Sequence, residues 1–211
     1  MPLDPTPLVS KTPVIPVLTI ERAADAVPLA RALAAGGLPV IEVTLRTKVA
    51  LDAIKAIAGE VPDCIVGVGT VTRVGDIATA ISAGAKYLVS PGTPLELANA
   101  LADAAVPVLP GCATVSEAMA LAARGFKVLK FFPAEASGGT AWLKSIAAPL
   151  PDIRFCPTGG IDAKNIAAYL GCPNVLAVGG SWVAPKGAIA AGDFARITKL
   201  AREASALRNA A

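Results

Sequence analysis

The chain has 211 residues, 54% of them hydrophobic and 17% charged, and 19 basic against 16 acidic side chains leave a net charge of +3. That length is enough for one sizeable domain with its own core, and no apolar run approaches the roughly 18 residues of a membrane span. The basic residues are scattered and aromatics are few, which speaks against nucleic acid as a partner; the absence of histidine excludes imidazole triads and histidine metal sites.

Short runs rich in Val and Ile alternate with Ala-rich helical segments. "VIPVLTI" (14–20) reads as the first strand. The helix after it (21–37) sets Ala26, Leu29, Ala30 and Leu33 on one face and stops at Gly36–Gly37. Further strands are expected at 39–45, 64–70, 87–92, 107–113, 126–133, 153–160 and 175–182. Helices are expected at 48–60, 74–84, 94–104, 115–125, 140–150, 162–171 and 192–210. About eight strand–helix units of roughly 20–25 residues match a minimal (β/α)8 TIM barrel forming a single domain over 1–211, with 1–13 as an N-terminal extension. A doubly wound open sheet is the structural alternative.

Side-chain alternation marks what faces inward. In the second strand Ile41, Val43 and Leu45 are wholly apolar and suit the helix-covered side, so Glu42 and Arg46 face the interior. In the sixth, Lys130 shares a parity with Val128 and Phe132. Barrel active sites lie at the C-terminal ends of the strands, and Glu42, Arg46 and Lys130 all sit near those ends. An amine in an apolar, partly dry site loses preference for its charged form, and Arg46 adds a like charge. A neutral lysine adds to carbonyls and forms a Schiff base. The competing reading is an ion pair between Lys130 and Glu42 with no chemistry. Glu42 could shuttle protons beside an iminium ion or serve only as a counter-ion. Arg46 offers a fork for a carboxylate or is merely a residue at a strand end.

"PTGGI" (157–161) and "VGGSW" (178–182) end the seventh and eighth strands, where barrels commonly hold phosphate on backbone N–H groups. Ser181 could add a hydroxyl donor. "GVGTV" (67–71) lacks the spacing of a dinucleotide fingerprint, and Thr70 reads as an inward residue at a strand mouth. Cys64, Cys112, Cys156 and Cys172 form no Cys-x-x-Cys pair and read as buried, reduced thiols in the cytoplasm. The opening "MPLDPTPLVSKTP" lacks the pattern of a secretory signal.

Taken together, "IEVTLRT", "GVGTV", "SPG", "KFFPAE", "PTGGI" and "VGGSW" resemble the 2-keto-3-deoxy-6-phosphogluconate (KDPG) and 4-hydroxy-2-oxoglutarate (KHG) aldolases, from about Val14 to the C-terminal helix. The resemblance implies a class I aldolase on a (β/α)8 barrel, homotrimeric, with no metal and no cofactor. It implies Lys130 as the Schiff-base lysine and Glu42 as the general acid and base. Arg46 and Thr70 would contact the pyruvyl carboxylate, Pro91 and Phe132 would wall the pocket, and Thr158 would touch the substrate's polar chain. Gly159, Gly160, Gly180 and Ser181 would cradle the phosphate. The implied partners are a phosphorylated keto acid, pyruvate and glyceraldehyde 3-phosphate. Rival readings are the same chemistry on 4-hydroxy-2-oxoglutarate or the galactose-series epimer, a phosphate-binding barrel isomerase or epimerase, and a non-catalytic barrel.

Overall fold

A strand that is apolar on both faces needs cover on both. The computed structural model, which describes residues 1–207, supplies that cover with helices outside and side chains within. The elements run α1 (Thr6–Val9), β1 (Val14–Leu18), a 3-10 turn (Ala23–Asp25), α2 (Ala26–Ala35), β2 (Val40–Thr44), α3 (Ala50–Glu60), β3 (Ile65–Gly69) and α4 (Val74–Ser82). They continue with β4 (Leu88–Val89), α5 (Leu95–Ala102), β5 (Val108–Leu109), β6 (Gly111–Cys112), α6 (Val115–Ala122) and β7 (Val128–Phe131). The last third holds α7 (Gly139–Ala147), β8 (Arg154–Pro157), α8 (Ile166–Leu170), β9 (Val178–Gly180), α9 (Lys186–Ala190) and α10 (Phe194–Ser205). The architecture is α/β, with a curled parallel sheet of six strands in the order β5-β4-β3-β2-β1-β9 and a second parallel sheet β6-β7-β8. Two isolated parallel bridges, Phe155↔Val175 and Thr158↔Gly179, run between the β8 and β9 edges.

Every expected strand is found, and its ends are trimmed. The expected strand 107–113 is split because Pro110 has no N–H to give a ladder; its carbonyl still accepts from the Lys130 N–H at 2.9 Å. The helix expected over 21–37 becomes a 3-10 turn and α2, starting where Pro28 falls in the first turn and its missing donor is harmless. Ala26, Leu29, Ala30 and Leu33 are all fully buried, as their spacing requires. The expected last helix ends at Ser205, and residues 208–210 of that expectation lie outside the described residues.

Two apolar clusters divide the core. The larger packs helices against the outer strand faces, with Ile41, Val43, Leu129 and Phe131 among its members. The smaller fills the inside with Ile15, Val40, Tyr87, Val89, Leu109, Val128, Cys156 and Ala177. Val9, from α1 in the N-terminal segment, completes it, and full burial of such a side chain stabilises by about 1.5 kcal/mol or more. The Tyr87 hydroxyl donates to the Ile41 carbonyl at 2.8 Å. Its ring lies where a Cβ on Gly67 would stand 2.2 Å away, so only glycine fits there. The four cysteines are free and buried, and burial pushes the Cys64, Cys112 and Cys156 thiols up to about 12.

α6 shows how a helix start is held. Glu117 Oε2 accepts from the Ala113 and Thr114 N–H groups at 2.8 and 2.9 Å, while Thr114 Oγ1 accepts from the Glu117 N–H at 3.2 Å. The Ala113 N–H is the main cause holding this carboxyl below its ordinary value of 4.5. Its contribution to stability is therefore complete above that value and is lost as pH falls through the lower, folded one. Glu117→Gln is expected to lower the melting temperature by about 1–3 °C at neutral pH. Melts repeated at decreasing pH should show the gap closing as the wild-type carboxyl protonates.

Candidate active site

β7 carries Lys130 and β2 carries Glu42, and the alternation of each strand turns both side chains inward above the filled interior. Lys130 Nζ donates to Glu42 Oε1 at 3.0 Å and to Oε2 at 3.3 Å. Both side chains are almost completely buried, 5% and 4% exposed. The ammonium is also 5.4 Å from the centre of the Phe132 ring, close enough for a cation–π contact. A buried ion pair holds two charges out of water. Proton transfer along its hydrogen bond instead leaves a neutral amine beside a carboxylic acid, a nucleophile with its acid already placed.

The approach of Glu42 depends on β3. A Cβ on Gly69 would lie 2.0 Å from Glu42 Oε1, so the carboxylate occupies space that any other residue would fill. Gly67 and Gly69 sit two apart in one strand, on one face, and admit Tyr87 to the core and Glu42 to the site. The chain then bends at Thr70, whose φ of 62° is the one positive value among the described non-glycine residues. A β-branched residue there is strained. Its hydroxyl accepts from Arg46 Nε at 3.2 Å, which holds the guanidinium at the mouth.

Lys130 forms part of the wall of an open cleft of about 470 Å3, shared with Arg46, Phe132, Thr158, Gly159, Gly160, Gly180 and Ser181. Eight of the eleven expected site residues thus meet in one cavity. Glu42 joins them through Lys130 and Thr70 through Arg46. Pro91 stands apart from the cleft lining, its backbone packed where a Cβ on Gly111 would stand 2.4 Å away.

The glycine loop after β8 is pinned from both sides. Gly159 and Gly160 have φ of +102° and +77°, which side chains rarely adopt. The Glu135 N–H donates to the Gly159 carbonyl at 3.1 Å and Asn165 Nδ2 to the Gly160 carbonyl at 2.9 Å. Tyr169 donates its hydroxyl to Glu135, and that hydroxyl is pushed up by burial first and by the neighbouring carboxylate second. No hydrogen bond among the described residues uses the N–H of Gly159 or Gly160. Two backbone donors at a cleft mouth suit an anion.

Sequence reasoning passed over Thr19 and Lys186, which line the same cleft. Thr19 directly follows β1, and its parity with Val17, another residue of the cleft lining, is a signal the sequence could have supplied. Lys186 opens α9, in a stretch between the last two expected elements. Arg46, Lys130 and Lys186 make the cleft cationic. Among the described residues, no group of three or more His, Cys, Asp and Glu could hold a metal ion, and no helix is long and apolar enough to cross a membrane.

The family model described as "Aldolase: KDPG and KHG aldolase" matches residues 7–200. The 2-dehydro-3-deoxy-phosphogluconate aldolase of Pseudoalteromonas atlantica (strain T6c) is 52% identical over 197 residues, spanning 93% of this chain and 92% of that protein. The KHG/KDPG aldolase of Escherichia coli (strain K12) is 52% identical over 192 residues, 91% of this chain and 90% of that one. The crystal structure of KDPG aldolase from Legionella pneumophila, with pyruvate captured as a covalent carbinolamine intermediate, superposes with a TM-score of 0.94 at 44% identity, covering 96% of this chain and 98% of that one. The chain belongs to the KDPG and KHG aldolase family.

Proposed function

We propose that this protein is a class I aldolase that cleaves 2-dehydro-3-deoxy-6-phosphogluconate to pyruvate and glyceraldehyde 3-phosphate. The observation that carries the reading is the buried hydrogen bond between Lys130 and Glu42 at the cleft wall. Lys130 Nζ, after giving its proton to Glu42, attacks the C2 ketone. Glu42 returns the proton to the departing hydroxyl, water leaves, and an iminium ion forms. Glu42, again a carboxylate, takes the C4 hydroxyl proton as the C3–C4 bond breaks. The bonding electrons pass to the iminium, giving an enamine, and glyceraldehyde 3-phosphate departs. Glu42 then gives that proton to C3, and hydrolysis releases pyruvate and the free amine. The iminium is the electron sink, so this scheme requires no metal and no cofactor.

Around this chemistry, Arg46, steadied by Thr70, takes the carboxylate as a fork. Phe132 walls the reacting carbons, Thr158 meets the hydroxylated chain, and Gly159, Gly160, Gly180 and Ser181 receive the phosphate. The two parallel sheets belong to one closed eightfold barrel in this reading. Its support is the single-residue gap at Pro110 and the bridges between β8 and β9. A homotrimer gives cover to Val74, Leu95, Val115 and Met119, exposed apolar residues on the consecutive helices α4, α5 and α6. Buried free thiols suit the reducing cytoplasm.

A second reading, cleavage of 4-hydroxy-2-oxoglutarate by the same residues, is favoured by the E. coli relative that carries both names. Borohydride added with pyruvate should give a stable adduct on Lys130, located by peptide mass spectrometry. An unmodified Lys130 in folded enzyme overturns the Schiff-base scheme. Catalytic efficiency on the gluconate, galactonate and oxoglutarate substrates then decides among them, and a preference for either of the last two displaces the first.

A further inference from the structure

Gly159, Gly160, Gly180 and Ser181 offer an anion only neutral donors. Neutral donors fit the shape of a phosphoryl group but do little to favour a dianion over an uncharged hydroxyl at the same place. A cation at that end does. Arg46 follows β2 and is tied to Thr70, and Lys130 is tied to Glu42. The remaining positive charge on the cleft wall is Lys186, which begins α9 five residues after Ser181, on the strand end that carries the second glycine pair.

We propose that Lys186 is the phosphate-selecting residue of this enzyme: its ammonium swings over the Gly159–Gly160 and Gly180–Ser181 loops and pairs with the substrate's terminal phosphate. This inference rests on the aldolase reading above and deepens it. Three observations support it. Lys186 is exposed, and none of the ion pairs among the described residues includes it. The nearby acid Asp25 is already engaged by Arg22 at 2.9 and 2.8 Å, which removes one competing counter-ion. The second, Glu21, lines the adjoining pocket and forms no ion pair among the described residues. Lys186 also borders two smaller cavities beside the cleft, of about 200 and 290 Å3, so its four-carbon stem has room to move between an open and a closed position. An unpartnered cation at a cleft mouth also raises the encounter rate with a multiply charged anion.

The test compares Lys186→Met and Lys186→Arg on 2-dehydro-3-deoxy-6-phosphogluconate and on the same sugar acid without its phosphate. Lys186→Met is expected to raise KM for the phosphorylated substrate about 10- to 100-fold, the worth of one hydrogen bond to a charged group. Its kcat should change little, and efficiency on the unphosphorylated substrate should move less than about twofold. Lys186→Arg should recover most of the KM. Inorganic phosphate should compete with substrate in the wild type, and about tenfold more weakly in Lys186→Met. Equal losses on both substrates, or no change on either, overturn the assignment. Pyruvate trapping on Lys130 is read in the same variants. An intact adduct with no phosphate discrimination overturns the role of Lys186 alone, whereas a missing adduct in the wild type overturns the aldolase reading beneath it.

Discussion

Lys130→Met should abolish turnover, by on the order of 10⁴-fold or more, because the amine hydrogen-bonded to Glu42, which forms the iminium that accepts the electrons of the broken bond, is gone. The variant should still fold, since Met fills the space of the stem and the strand around it is unchanged. It should also be less stable. The change orphans the buried Glu42 carboxylate, and breaking a buried pair from one side costs about 3–5 kcal/mol. The double variant Lys130→Met/Glu42→Gln separates the two effects. With no charge left unpaired, it should regain most of that stability while turnover stays absent. Melting curves and a coupled assay for pyruvate give both readings. Had the pair been merely structural, the double variant would recover activity together with stability, and that result would sink the scheme.

Much of this was readable before any coordinates, for a physical reason. A strand buried on both faces must be apolar on both, so a charge inside one stands out. Lys130 and Glu42 are such charges, and strand parity alone turned them inward toward each other. The glycine pairs were equally plain, because two occur at successive strand ends. Other features left weaker traces. α1 has only four residues, too few for a helical period, and Val9 shows its role only through the interior it closes. α9 is similarly short, and Lys186 went unnoticed with it. The Gly-Val-Gly of β3 reads in one dimension as part of a strand without a dinucleotide spacing, and nothing there gives its glycines a purpose. Its purpose needs the neighbouring strands, whose Tyr87 and Glu42 occupy the missing side chains' space. The strain at Thr70 is invisible in a sequence, since nothing about a threonine announces a positive φ.

Glu42→Gln isolates the proton from the carboxylate's shape. The amide is nearly isosteric, keeps the space left by Gly69, and can still accept a hydrogen bond from Lys130 through its oxygen. What it cannot do is take a proton from the amine, return it to the leaving hydroxyl, or deliver one to C3. Loss of a positioned general acid–base typically costs 10²- to 10⁴-fold, so kcat should fall by about that much with KM little changed. The half-reaction is a sharper probe than turnover. In deuterated water, wild-type enzyme should exchange the methyl protons of pyruvate through the enamine, a process followed by proton NMR. Glu42→Gln should slow this exchange in parallel with cleavage, yet borohydride should still trap pyruvate on Lys130 after long incubation. Lys130→Met should show neither exchange nor adduct. Exchange at the wild-type rate in Glu42→Gln would mean that water or another group protonates C3. Glu42 would then serve only to hold the amine in place, and the carboxylate's role in the mechanism would shrink to a counter-ion's.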